Sequence, residues 1–222
     1  MNKLEAVIFD LDGVITDTAE FHFLAWQKLG KDLNIPFDRE FNETLKGVSR
    51  TESLERILAF GNRQDDFSPA EKEALAVRKN NHYVELIAHI TAEDLLPGIG
   101  HFLIDLKKAG LKTGMASASK NAFKVTERLG VQHLFDYIVD AAAVTHSKPH
   151  PEVFLKAAEG LGVSPENCIG IEDAQAGVEA INSAGMLAIG VGDQKALKHA
   201  AHVVSSTDQL TLNLVKSIFD KC

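Results

Sequence analysis

Two carboxylates, one residue apart, close an apolar run in Ala6-Val7-Ile8-Phe9-Asp10-Leu11-Asp12-Gly13. If the run is a buried strand, residues i and i+2 point the same way, so Asp10 and Asp12 bring like charges together. Such a pair burdens a fold and suits a reaction, because one carboxylate can attack while the other moves protons. The competing reading is a strand that runs into an Asx-type turn at Asp12-Gly13. Three further stretches carry groups of similar use: Ser117-Ala118-Ser119-Lys120-Asn121, Ser147-Lys148-Pro149 and Glu172-Asp173. Each has a plain counterpart. Ser117 reads as a strand-end hydroxyl, Lys148 as a solvated loop charge, and Glu172-Asp173 as the cap of the next helix.

The elements that must position these groups alternate from about residue 93. The pattern predicts a helix from Pro97 closed by Gly110, a strand over Leu111–Ala116 and a helix over about 120–129. A short strand over Phe135–Val139, a helix over Pro149–Leu161 and a strand over Cys168–Ile171 follow. A helix over Ala174–Ala184 and a strand over Leu187–Val191 complete the series. Strands separated by helices of this length predict a parallel sheet covered on both faces. The four chemical stretches then fall at or just beyond strand ends, on one edge of that sheet, where open α/β sheets place ligands. Residues 18–90 show only helical periods: Phe23, Trp26 and Leu29; Leu54, Ile57 and Leu58; Leu75, Tyr83 and Leu86. A helical insert of roughly seventy residues therefore separates the first strand, over 4–10, from the rest of its sheet. Residues 193–222 offer no recognisable site.

The totals narrow the class. A chain of 222 residues, 45% hydrophobic, can build one large domain or a domain with an insert. A formal charge of −8 and the lack of a long basic run predict no nucleic-acid partner. Two cysteines, Cys168 and Cys222, suggest no disulfide framework. No stretch approaches the ~20 apolar residues of a spanning helix, and the N-terminus reaches Asp10 too soon for a signal peptide. A cytoplasmic monomer without membrane or nucleic-acid partners is expected.

The four motifs in this order resemble the haloacid dehalogenase superfamily, whose phosphotransferases carry an Asp-x-Asp, a Ser or Thr, a Lys and an acidic pair. The resemblance implies an α/β fold: a Rossmann-like parallel-sheet core (1–16 and 92–222) with an inserted α-helical cap domain (17–91). It implies Asp10 as nucleophile forming an aspartyl phosphate, and Asp12 as general acid/base. Asp10, Asp173 and the backbone carbonyl of Asp12 would hold Mg²⁺, with Glu172 a ligand or an orienting neighbour. Ser117 and Lys148 would hold the phosphoryl oxygens. The charge logic agrees, since a carboxylate attacking an anionic phosphoryl group needs a cation and a Lys in a site closed to water.

Nearly end to end, and most distinctively in its insert, the chain is similar to the β-phosphoglucomutase family. The likeness is carried by Thr18, His22, Trp26, Leu45-Lys46-Gly47-Val48-Ser49-Arg50, Ser53, Arg78-Lys79-Asn80 and Ser117-Ala118-Ser119-Lys120-Asn121. It implies interconversion of β-glucose 1-phosphate and glucose 6-phosphate, primed by β-D-glucose 1,6-bisphosphate. Ser49 and Glu52 form a capping-box pattern, which predicts a helix start where Arg50 can grip an anion. Arg50 and Ser53, with Lys120 and Asn121, would hold the non-reacting phosphate, and Lys46 and Lys79 would contact sugar. Trp26 would lie beside the sugar, His22 would support Asp12, and Thr18 with Asp17 would form a hinge. Glu152 stands where relatives commonly carry Asp. A sugar-phosphate phosphatase would share the core motifs without needing Arg50 and Ser53. A non-catalytic phosphosugar binder would not need Asp10, Asp12, Lys148 and Asp173 intact.

Overall fold

The computed structural model describes residues 3–221. In chain order the first elements are β1 (Ala6–Phe9), α1 (Ala19–Asp32), α2 (Arg39–Glu43), α3 (Arg50–Phe60), α4 (Pro69–Leu86), α5 (Ile99–Lys108) and β2 (Lys112–Met115). They are followed by α6 (Ala122–Arg128), β3 (Tyr137–Ile138), α7 (Glu152–Leu161), β4 (Cys168–Glu172), α8 (Gln175–Ser183), β5 (Leu187–Val191), β6 (His202–Val204) and α9 (Leu212–Phe219). The chain divides into two compact units. One runs up to Asp17 and resumes at Ile90; the other is Thr18–His89.

The first unit is built on a six-stranded sheet in the order β3-β2-β1-β4-β5-β6, parallel throughout. β1 is wholly apolar and wholly buried because both its faces are covered. Ala6 and Ile8 pack with α7 and α8 side chains such as Phe154, Leu161 and Ile181. Phe9 turns the other way, edge-on to Phe102 of α5 at 5.8 Å. With β2 and β4 as its neighbours, β1 delivers Asp10 to the middle of the carboxyl edge. Ser117 arrives two residues past β2, and Glu172 is the last residue of β4. No helix among the described residues is long and apolar enough to cross a membrane.

Several boundaries differ from the sequence expectation for local reasons. β3 shrinks to two residues because Asp136 breaks its apolar run and turns its carboxylate to accept from the Thr113 N–H at 2.8 Å. α5 begins at Ile99, two residues past Pro97, because its N-cap Gly98 has a φ of 81° and lies outside the helix. α7 starts at Glu152, since the His150 N–H closes a turn on the Ser147 carbonyl at 3.0 Å. The segment after 193 adds the edge strand β6 and the amphipathic α9, which buries Val215, Ile218 and Phe219.

The second unit packs α1 and α3 against α4 around Phe23, Trp26, Leu29, Leu54, Ile57, Leu58 and Ala76. α4 opens with a complete capping box, Ser68 with Glu71, and Pro69 in its first turn. At α3 only half of the expected box forms. Ser49 Oγ accepts from the Glu52 N–H at 3.3 Å, while the Glu52 carboxylate pairs with Arg56 one turn on.

Candidate active site

The strand carrying Asp10 does not extend to Asp12. The Asp10 N–H still bonds the Ile171 carbonyl of β4 at 2.9 Å, but the chain then turns, with the Ile15 N–H on the Leu11 carbonyl at 2.9 Å. Asp12 thus sits in a turn, not in the same strand row. Lys148, 2% exposed, reaches in between the acids: its Nζ lies 2.6 Å from Asp10 Oδ1 and 2.7 Å from Glu172 Oε2. α7 packs on β1 and β2, which sets the loop before it over this edge. Ser117 is buried, and its Oγ accepts from the Ser119 N–H at 3.1 Å, which leaves its own hydroxyl hydrogen to donate. Ser119 Oγ accepts in turn from the Asn121 N–H at 3.2 Å, so the two serines shape the loop that presents Ala118, Ser119, exposed Lys120 and Asn121.

The electrostatics suit a cation. Burial above all, then the Glu172 and Asp12 charges, push the Asp10 carboxyl up to about 8, with Lys148 opposing. Lys148 loses solvation too, yet its two carboxylate partners hold its ammonium above the ordinary range. Asp10, Glu172 and Asp173 offer ligand oxygens within 4.8 Å of one another. Four carboxyl groups, which supply only oxygen donors, against a single ammonium fit a hard divalent ion such as Mg²⁺. Both oxygens of the Glu172 carboxylate also accept hydrogen bonds. Its Oε2 holds Lys148, and its Oε1 accepts from the Asp173 and Ala174 N–H groups, both at 3.2 Å. The N-cap of α8 is Ala174, without a side-chain cap hydrogen bond.

Two glycines make room for these acids: Gly13, read from the sequence only as a turn residue, and Gly177, which drew no reading. A Cβ on Gly13, whose φ is +73°, would lie 2.3 Å from Asp173 Oδ2. A Cβ on Gly177 would lie 2.0 Å from the Glu172 carboxyl. Gly177→Ala is therefore expected to lower stability by about 2 kcal/mol through overpacking and to depress turnover by displacing Lys148. Gly100→Ala in α5, whose Cβ would meet Leu95 at an ordinary 3.8 Å, serves as the control. Thermal melts and turnover of both variants check this; equal behaviour would remove Gly177 from the role.

In the helical unit, Lys79 is 3% exposed although it lies on a long surface-like helix. Its Nζ is 2.7 Å from His22 Nδ1 and stands over the rings of Trp26 (4.6 Å) and Tyr83 (5.0 Å). An ammonium only donates, so His22 Nδ1 accepts and its Nε2 carries the proton. Trp26 is part of this unit's core, and Leu45 is buried with it. Lys46, Gly47, Val48 and Ser49 form the half-buried turn into α3. Arg50 opens α3 half-buried, its guanidinium in no hydrogen bond or ion pair among the described residues, and Ser53 is buried one turn later. Thr18, fully buried at the unit's first residue, accepts from the Tyr83 hydroxyl at 3.2 Å.

Desolvation, with Lys79 and Arg50 nearby, drives His22 well below its usual pKa. The fold thus keeps His22 neutral, while an unfolded chain takes up a proton below about pH 6.5. Stability should fall with acidification below that point, by up to about 1.4 kcal/mol per pH unit. His22→Gln should flatten the slope, as thermal melts between pH 7.5 and 5 would show; an unchanged slope would refute the assignment.

Comparison with known proteins follows the same lines. The model of the haloacid dehalogenase-like hydrolases matches residues 4–185. A Bacillus subtilis protein named β-phosphoglucomutase is 53% identical over 212 residues, covering 96% of this chain and 94% of that protein. A Thermotoga maritima phosphorylated carbohydrates phosphatase is 29% identical across 97% of this chain and 100% of its own. The crystal structure of a β-phosphoglucomutase from Clostridium difficile superposes with a TM-score of 0.97 at 54% identity, covering 98% of each chain.

Proposed function

The chain belongs to the haloacid dehalogenase-like hydrolase family and stands with its β-phosphoglucomutases, and from that premise we propose how its residues divide the work of a mutase. Its substrates are β-D-glucose 1-phosphate and D-glucose 6-phosphate, with β-D-glucose 1,6-bisphosphate as the priming intermediate. Phosphorylated Asp10 gives its phosphoryl group to the sugar 6-hydroxyl while Asp12 takes the proton. The bisphosphate then turns round. Asp10 attacks the phosphorus at position 1, the bond from phosphorus to the sugar oxygen breaks, and Asp12 protonates that oxygen.

Asp10, Asp173 and the Asp12 carbonyl would hold Mg²⁺, which when bound offsets the negative charge of the phosphoryl oxygens. Lys148 and the Ser117 hydroxyl hold those oxygens, and Glu172 orients Lys148. Arg50 and Ser53, with Lys120 and Asn121, hold the phosphate that is not reacting. Lys46, Lys79 and Trp26, with the turn over Leu45–Ser49 and Ala118-Ser119, shape the sugar site. His22, with Nε2–H as donor, supports Asp12, and Thr18 is the hinge of a cap that keeps water from the aspartyl phosphate.

The observation that favours a mutase over a phosphatase is Arg50: a half-buried guanidinium without an ion pair among the described residues, at a capped helix start. A phosphatase is the second reading, supported by the Thermotoga relative. Supplying β-glucose 1-phosphate, Mg²⁺ and a trace of the bisphosphate, and following glucose 6-phosphate beside free phosphate, separates the two. Fast phosphate release without glucose 6-phosphate would overturn the mutase; silence in both channels would favour a non-catalytic binder.

A further inference from the structure

The loop that delivers Lys148 has a second, outward side. His146 and His150, two of the chain's nine histidines, bracket Ser147-Lys148-Pro149. The turn closed by the His150 N–H on the Ser147 carbonyl brings their imidazoles together, with ring centroids 4.4 Å apart and planes inclined by 30°. Glu152, the first residue of α7, completes the group. Its Oε2 lies 2.8 Å from His146 Nδ1 and 2.8 Å from the His146 N–H, and its Oε1 accepts from the Thr145 N–H at 2.9 Å. The Glu152 N–H donates to His150 Nδ1 at 3.3 Å. These donors hold the Glu152 carboxyl down at about 2, so it is an anion at any ordinary pH. One ligand atom from each of the three side chains lies within 4.8 Å of the others. Both histidines are exposed, and the reaction outlined above makes no use of any of the three.

We propose that His146, His150 and Glu152 form a surface site for a first-row transition-metal ion of the Zn²⁺ class, separate from the acidic cluster around Asp10. Two imidazole nitrogens and one carboxylate oxygen are a common zinc ligand set with positions left for water. Mg²⁺ prefers oxygen ligands and does not compete well for such a set. Ligands about 2 Å from a Zn²⁺ ion stand about 3.3 Å apart in tetrahedral geometry, so the exposed rings need only small rotations to close on it. The backbone bonds to Glu152 already fix the third ligand. An ion bound here ties residue 146 to residue 152 and so restrains the segment whose inner side presents Lys148.

The test is Zn²⁺ binding by untagged protein with Mg²⁺ saturating, read by calorimetry or by competition with a chromophoric chelator. The wild type should retain one Zn²⁺ per chain. The double variant His146→Ala/His150→Ala should bind it more than about tenfold more weakly, while its melting curve and Mg²⁺-dependent activity without Zn²⁺ stay unchanged. Equal binding by both proteins, or no retained ion in the wild type, would overturn the proposal. Should the variant fold poorly, the wild type decides alone: the His146 and His150 imidazole proton resonances must shift as Zn²⁺ is added under saturating Mg²⁺, and their failure to shift refutes the site. The outcome does not depend on which sugar phosphate the enzyme uses.

Discussion

Asp10→Asn is expected to lower turnover by at least about 10⁴-fold, because an amide cannot form the phosphoryl–enzyme and no neighbour can replace it. The same substitution should leave the fold intact or make it more stable. Lys148 keeps Glu172 as a partner at 2.7 Å, and the amide removes a buried charge that its surroundings oppose. The sign is definite. An acid raised from 3.8 to about 8 on folding binds its proton more tightly in the native state, so metal-free stability declines as pH rises across that window. The asparagine variant lacks this decline. Melts in chelator from pH 4 to pH 8 should therefore show its advantage growing with pH, alongside the collapse in activity. A variant that melts lower than wild type at pH 8 would contradict the electrostatic account of the site.

Arg50→Ala should divide two activities that share one nucleophile. Loss of a charge-assisted phosphate grip costs about 3 kcal/mol or more, which corresponds to about 10²-fold or more in kcat/KM for the mutase reaction. Hydrolysis of acetyl phosphate or an aryl phosphate has no second phosphate to lose and should change little. Arg50 supports no salt bridge among the described residues, and Ser49 keeps its cap bond, so stability should hardly move. Arg50→Lys should restore only part of the mutase rate, since an ammonium lacks the planar fork. Equal losses in both activities would remove Arg50 from the proposed role.

What could be read ahead in the chain followed from local signals. The apolar run into Asp10, the glycines after helices and the 3.6-residue periods of the insert each reflect nearest-neighbour chemistry, and the corresponding elements are present. The division of roles within the acidic cluster was legible only as alternatives. Whether Glu172 binds a metal or orients Lys148 depends on a lysine 24 positions away, and on the space that Gly177 leaves. Lys79 reads as a solvated helix charge, and only the packing of α1 on α4 buries it under Trp26 and Tyr83. β6 has three residues, one exposed and one half-buried, and exists because β5 offers it a free edge. The pairing of His146 with His150 needed the turn at 147–150, where the sequence alone suggests a helix already under way.

The bridge between Thr16 and Leu95 has a consequence for how this chain can fold and vary. Thr16 also donates from Oγ1 to the Asp94 carbonyl at 2.7 Å, so the chain leaves the α/β unit and re-enters it at nearly the same point. A flexible loop of roughly seventy residues would charge the sheet about 4 kcal/mol of closure entropy. A compact insert with its own apolar core, entered and left at nearly the same point, lowers that cost. It behaves as a cassette whose sequence can drift, lengthen or be exchanged without disturbing the register of β1 against β2 and β4. Replacing it with a short glycine-rich link should leave a folded sheet that still carries Asp10 and Lys148, and new specificity can arise by changing the cassette alone.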